Sequence, residues 1–109
     1  MMDRKSKLTH RAYTGNRRRY YRWRIRKIIK EAIKATRNAE DFMIFITNSD
    51  FYWDAYIYVT KKGVFFQNIE YNDISAPQKM RNIDEAIEKA VNWILKHPAE
   101  RWEIRWDRI

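Results

Sequence analysis

The chain has 109 residues, with 23 lysines and arginines against 14 acidic residues and a formal net charge of +9. This length predicts one small domain, since domains typically contain about 100–150 residues. The absence of cysteine excludes disulfides and thiolate metal sites. No apolar run approaches the roughly 18 residues of a membrane span, and no apolar stretch of a secretory signal follows the basic N-terminus. We therefore expect a cytoplasmic protein, which would lie within the host cell if the protein is viral. We predict no cofactor.

The first predicted element is a flexible basic arm over residues 1–16, which show no apolar periodicity and include a glycine. Asn16 is suited to cap a helix over 17–37. In that helix the apolar residues recur at the three- and four-residue spacing of one face. The face consists of Tyr21, Ile25, Ile28, Ile29, Ala32, Ile33 and Thr36.

Three strands are predicted next. Residues 42–47 are apolar on both sides and too few for a helix, which indicates an interior strand. Residues 51–60 alternate between two faces, and residues 64–71 form the returning strand. The tight turn between them ends at Gly63, which supplies the positive φ that such a turn favours. Residues 72–79 are predicted to form a loop.

The clearest predicted helix spans 82–97. Asn82 with Glu85 three residues later is typical of a helix start, and Pro98 forces the helix to end before it. Its apolar stripe consists of Ile83, Ala86, Ile87, Ala90, Val91, Ile94 and Leu95. Residues 101–107 alternate again as a last strand. The order α-β-β-β-α-β predicts a single α+β domain, with a mainly antiparallel sheet of three to four strands and both helices on one face.

The charge is concentrated at one end of the chain. Residues 1–37 contain 14 basic and two acidic side chains (14 − 2 = +12), whereas residues 38–109 contain nine basic and 12 acidic ones (9 − 12 = −3). Such asymmetry is typical of proteins that contact a polyanion. The candidate nucleic-acid-binding residues are Arg4, Lys5, Lys7, Arg11, Arg17, Arg18, Arg19, Tyr20, Arg22, Trp23, Arg26, Lys27, Lys30, Lys34 and Arg37.

The first helix carries the functional prediction. Trp23 projects into the middle of the basic half opposite the apolar face, with Tyr20 beside it. Cations there can neutralise phosphates while the rings stack on unpaired bases. We therefore predict that this helix binds nucleic acid, with RNA favoured over DNA. A ladder of like charges four residues apart, from Arg18 to Lys34, destabilises a bare helix and suggests that a polyanion relieves the repulsion. A membrane surface is disfavoured, because the core needs the helix's apolar face.

The composition of residues 4–30 resembles the arginine-rich arms of phage and viral RNA-binding proteins. The resemblance implies an arm that becomes ordered on its RNA target. The order α-β-β-β-α is also that of the double-stranded RNA-binding domain, but residues 82–86 are acidic where that family has a lysine cluster. The RNA-recognition-motif strand signature is matched only at Lys62, Gly63 and Phe66, so neither family is assigned.

A second candidate surface is the tyrosine face of the middle strand, formed by Tyr52, Tyr56 and Tyr58. If that face is open, it is a possible stacking platform for single-stranded RNA. If a helix covers it, the tyrosines are ordinary amphipathic residues at the edge of the core. The structural role is favoured, because tyrosine is common on half-exposed strands.

The sequence contains little that indicates catalysis, and we predict no catalytic or metal-binding residue. His10 and His97 have no partner at ligand spacing and are expected to be solvated. A metal-dependent nuclease is the enzyme alternative, in which Asp50, Asp54 and Glu70 converge from adjacent strands. A non-catalytic alternative is a phage- or virus-type inhibitor that binds a protein–RNA complex such as an RNA-guided nuclease. We expect a nucleic-acid-binding protein without catalysis.

Overall fold

The described part of the chain forms six antiparallel strands and two helices. The structure is a computed structural model that describes residues 3–37, 40–48, 53–97 and 101–109, with side chains in the first helix described from residue 15 onward. The elements in chain order are α1 (Asp3–Thr36), β1 (Phe42–Thr47), β2 (Trp53–Thr60), β3 (Gly63–Glu70), β4 (Asp73–Ile74), β5 (Gln78–Met80), α2 (Ile83–Lys96) and β6 (Glu103–Arg108).

The sheet has the order β4-β3-β2-β1-β6, and β5 pairs with β3 beside β4. This is the predicted α+β architecture, and β1 is an interior strand as expected. The sheet has more strands than predicted, because β4 lies within residues 72–79 and β5 begins within them, where only a loop was expected. Both are too short to show alternation, and pairing with β3 defines them: Ile74 lies opposite Ile69, and Gln78 lies opposite Phe66.

Alternation along the strands separates a helix-covered face from a face that neither helix covers. Ile44, Ile46, Ala55 and Ile57 are fully buried beneath the helices, with α1 over β1 and β6 and α2 over β2 and β3. The intervening residues of β1 and β2 point the other way and are half-buried. We call this second side the open face of the sheet.

The start of α1 differs from the prediction. The helix begins at Asp3 instead of Arg17, so Asn16 lies inside the helix and does not cap it. Apolar residues recur along a helix where one of its faces packs against the core. At Gly15, no described atom lies within 4 Å of the ideal Cβ position, so this position has no packing partner among the described residues. A helix segment without a packing partner shows no apolar stripe, although lysine and arginine are good helix formers. From Tyr21 onward the predicted apolar face is the buried face.

The local signals around α2 and the hairpin are confirmed. The Glu85 backbone N–H donates to Asn82 Oδ1 at 2.9 Å, and α2 ends at its C-cap, His97. The predicted stripe of α2 faces the core, and Trp93 is buried with it. Gly63 has φ +133° at the turn between β2 and β3, the positive value expected there. These signals depend on neighbours within a few residues, which is why the sequence reveals them.

Candidate nucleic-acid interface

The side of α1 that points away from the sheet carries exposed cations and two exposed rings. At 3.6 residues per turn, these side chains are about half a turn from the buried Ile25 and Ala32. Tyr20 is 48% exposed and Trp23 is 56% exposed, the latter the most exposed tryptophan in the chain. We call this set the exposed stripe, and its members are Arg19, Tyr20, Trp23, Lys27, Lys30, Lys34 and Arg37.

The two rings of the exposed stripe lie beside each other and against cations. The ring centroids of Tyr20 and Trp23 are 6.3 Å apart with an interplanar angle of 37°. Lys27 Nζ lies 5.2 Å from the Trp23 ring centroid, and the Arg24 guanidinium carbon lies 5.6 Å from that of Tyr20. Contacts at these distances are weakly attractive at exposed sites. They hold the rings in place while leaving much of each ring surface in solvent.

The cations of the exposed stripe lack carboxylate partners. Within the described part of the chain, Arg19, Lys27, Lys30 and Lys34 make no ion pair. The one acidic residue between 15 and 37 is Glu31, and it makes no ion pair among the described residues either. The stripe therefore presents positive charge that is not neutralised by any acidic side chain among the described residues.

Three of the predicted phosphate-binding arginines face α2 instead. The Arg22 guanidinium donates to both Glu88 carboxylate oxygens, at 2.6 Å from Nε and 3.2 Å from Nη2. This hydrogen bonding to Glu88 raises the pKa of Arg22 above its ordinary value. Arg18 donates to Asn92 Oδ1 at 2.9 Å and lies 3.8 Å from Glu88. One turn further along α1, Arg26 pairs with Asp84 at 3.3 Å.

These contacts correct the charge-ladder argument. Arg26 is exposed and Arg22 is half-buried, but both pair with carboxylates of α2. Intramolecular carboxylates therefore relieve part of the repulsion that was assigned to a polyanion. A matching signal is present in the sequence: Asp84 and Glu88 are four residues apart on α2, as Arg22 and Arg26 are on α1. It becomes readable only once the two helices are known to pack side by side.

The remaining cationic candidates have separate positions. Arg17 lies over the Tyr21 ring at 5.7 Å from its centroid. The backbone of Arg4, Lys5, Lys7 and Arg11 is part of α1, but their side chains lie outside the described residues. Arg24, which was not a candidate, donates to the Trp102 carbonyl oxygen at 3.3 Å and ties α1 to the residue preceding β6.

Tyr56 and Tyr58 lie on the open face of the sheet, and Tyr52 is outside the described residues. Neither helix covers this face, so the open alternative is the one that the packing supports. The ring centroids of Tyr56 and Tyr58 are 6.3 Å apart, and Phe45 meets Tyr56 edge-on at 5.7 Å. Tyr58 Oη donates to Gln67 Oε1 at 2.6 Å. Partial burial raises the pKa of both tyrosines, so they are neutral near pH 7.

The carboxylates proposed for a nuclease site do not converge. Asp54 lies opposite Ile69 on the open face, whereas Glu70 lies opposite Trp53 on the helix-covered side. A shift of one residue along β3 relative to this register would have brought them to the same face. Asp50 lies outside the described residues. Elsewhere in the described chain, no group of three histidine or acidic side chains is arranged to hold a metal ion.

His97 contradicts the expectation of a solvated side chain. It is 3% exposed, and its ring lies 4.0 Å from that of Trp93 and 4.8 Å from that of Trp53. Nδ1 lies 2.8 Å from the Trp93 carbonyl oxygen, and Nε2 lies 3.3 Å from Glu70 Oε1. The ring folds back over the last turn of α2, which its position before Pro98 did not reveal. The side chain of His10 lies outside the described residues.

Comparison with protein-family models, curated proteins and solved structures found no match to this chain. In the part of the chain that the structure describes, neither helix is long and apolar enough to cross a membrane.

Proposed function

We propose that the protein binds nucleic acid through the exposed stripe of α1, with RNA favoured over DNA, and that it does so without catalysis. The observation that carries the proposal is the half-exposed Trp23, which lies beside Tyr20 among lysines that make no ion pair with the described acidic side chains. Its cations would neutralise phosphates and release counterions, while its rings would stack on unpaired bases.

The shape of the exposed stripe suits an extended polymer. From Arg19 to Lys34 it follows about 22 Å of helix at 1.5 Å per residue. Cations along a straight line of this length match a chain of regularly spaced phosphates better than a single small anion. Solubility alone would not require a large ring among the charges, because burying an aromatic ring is ordinarily favourable.

The pairing with α2 reduces the number of expected phosphate contacts. Arg18, Arg22 and Arg26 are occupied by Glu88, Asn92 and Asp84, which leaves five cations on the exposed stripe. If each meets one phosphate, log K should fall with log salt at a slope of about −4.5 on a duplex or about −3.5 on a single strand. Basic residues of α1 before residue 15 would add to this slope.

The proposal is tested by replacing the ring of Trp23. Trp23→Leu should weaken binding to a single-stranded RNA by about 1–3 kcal/mol, the usual loss for one base–aromatic stack. Trp23→Phe, which keeps a ring, is the matched control and should retain most of the affinity. Because Trp53, Trp93 and Trp102 are buried and Trp106 is half-buried, RNA binding should quench the emission of Trp23 preferentially. Equal affinity of the wild type and Trp23→Leu for RNA would contradict stacking by this ring.

The inhibitor alternative stays a prediction. It would use the same exposed stripe against a protein–RNA complex, and no contact in the structure favours it over free nucleic acid.

A further inference from the structure

A groove of about 590 Å³ lies on the open face of the sheet, at the end where β2 turns into β3. This volume is within the range of small-molecule sites. Tyr58 and Phe65 line it, and the two residues face each other across β2 and β3. Pro77, from the segment between β4 and β5, lines it as well. The groove is on the opposite side of the sheet from both helices, so the exposed stripe does not contribute to it.

Two aromatic rings, Tyr58 and Phe65, belong to the lining of the groove, with Ile109 as a further apolar side chain. Tyr58 Oη donates to Gln67 Oε1 on β3, which fixes the direction of the ring. Phe65 lies opposite Lys79 of β5. Both side chains are half-buried, so each retains solvent-exposed surface. A flat apolar ligand can therefore contact both rings.

The rim of the groove is positively charged. Lys61 and Lys62 of the turn line it and are exposed, as is the neighbouring Lys79. None of these lysines makes an ion pair within the described ranges. The acidic residue at the groove is Asp41, whose Oδ1 accepts a hydrogen bond from the Lys61 backbone N–H at 3.1 Å. Aromatic walls beneath free ammonium groups complement a ligand with a flat ring and an adjoining negative charge.

We propose that this groove binds an unpaired base of a single-stranded nucleic acid, with Lys61 and Lys62 on the flanking phosphates. The inference rests on the proposed function and narrows its ligand to a single strand, because a base within a duplex cannot reach a ring on a sheet. The exposed stripe and the groove are then two separate contact surfaces for the same class of polymer.

Photo-crosslinking of the wild-type protein tests the inference most directly. The probe is a ten-nucleotide RNA of 4-thiouridine and uridine, and the crosslinked residues are mapped by mass spectrometry. Crosslinks to Tyr58 or to segment 63–79 are the expected result. Crosslinks confined to segment 17–37 would overturn the groove site while leaving the proposed function intact. No crosslink together with no measurable RNA binding would overturn both.

A substitution pair supplies the second readout. Phe65→Leu removes the ring but keeps an apolar side chain, and Phe65→Trp keeps a ring. Phe65→Leu should weaken binding of the single strand by about five- to a hundredfold, the range for one lost stack, and leave duplex binding unchanged. Phe65→Trp should bind the single strand as the wild type does. An equal loss of affinity for single strand and duplex, or no loss for either, would overturn the inference. A wild-type dimer that Phe65→Leu dissociates would also overturn it, because the groove would then be a contact between two copies of the chain.

Discussion

Glu88 pairs with two arginines of α1, Arg18 and Arg22, and replacing Glu88 should make both of them available to an external anion. The Glu88 carboxylate accepts hydrogen bonds from Nε and Nη2 of Arg22, and its Oε2 lies 3.8 Å from Nη1 of Arg18. In Glu88→Gln the amide keeps the shape of the side chain but loses the charge. Arg22 and Arg18 then retain at most a neutral partner, and both become available to an external anion.

The variant is expected to change stability and binding in opposite directions. The Arg22 side chain is 31% exposed and that of Glu88 is 43% exposed, so losing this ion pair should cost about 0.5–1 kcal/mol of unfolding free energy. That loss corresponds to a melting temperature lower by about 2–8 °C. Two additional phosphate contacts should steepen the salt slope of nucleic-acid binding by up to about 1.8 on a duplex or about 1.4 on a single strand.

The assay is a fluorescence-anisotropy titration over 50–200 mM salt, with thermal melting of the same samples. Asp73→Asn is the control, since it removes one exposed negative charge from β4, at the edge of the sheet opposite β6, whereas α1 packs on β1 and β6. Glu88→Gln should bind more tightly and with a steeper slope than this control. The same slope in both variants would show that Arg18 and Arg22 do not reach the ligand, and an unchanged melting temperature would contradict the interhelical ion pair.

Two further predictions concern the free protein. Gly15→Ala places a good helix former in the middle of α1, where no described atom lies within 4 Å of the ideal Cβ position. It should favour the helix by about 0.5–1 kcal/mol and slow hydrogen exchange of the backbone amides around position 15; unchanged or faster exchange would contradict a helix that passes through Gly15. Partial burial raises the pKa of Asp54, so the native state binds the proton of this carboxyl more tightly than the unfolded state does. The free energy of unfolding therefore falls as pH rises from the unfolded-state pKa through the folded-state pKa of Asp54. Asp54→Asn should therefore be more stable than the wild type at pH 7, with a gain that disappears towards pH 3 in urea titrations; a gain independent of pH would contradict this origin.

Elements set by near neighbours could be predicted from the sequence. The cap of α2 depends on Asn82 and Glu85, and the turn before β3 depends on Gly63. The core faces of α1 and β2 follow from spacing alone. All of these are confirmed in the structure, because each signal and its physical cause lie within a few residues.

What could not be predicted depends on packing between distant segments. The pairing of Arg22 with Glu88 joins residues that are 66 positions apart, and the sequence does not state which side of α2 meets α1. The burial of His97, at the end of α2, depends on contact with Trp53 of β2. Similarly, β4 and β5 exist through pairing with β3, and Asp54 and Glu70 are separated by a register that alternation within each strand leaves undetermined.

The candidate site was predicted only in part. Tyr20, Trp23 and the exposed lysines of α1 were placed correctly in the solvent half of the helix, because that half follows from the position of the core. The pairing of Arg18, Arg22 and Arg26 with side chains of α2 was not predicted, since a helical wheel distinguishes buried from exposed sides but does not identify a lateral partner. The tyrosine face is open because both helices pack on the other side of the sheet. The spacing of the tyrosines does not show on which side the helices pack.

The central claim is that the exposed stripe of α1 meets a negatively charged polymer. It is tested most directly by comparing the salt slope of RNA binding in Lys27→Gln/Lys30→Gln with that in Lys89→Gln/Lys96→Gln. Both variants lose two exposed lysines, but only the first pair belongs to the exposed stripe. We predict that the first variant flattens the slope by about 1.4 on a single strand and that the second retains the wild-type slope. Equal slopes in the two variants would contradict the claim.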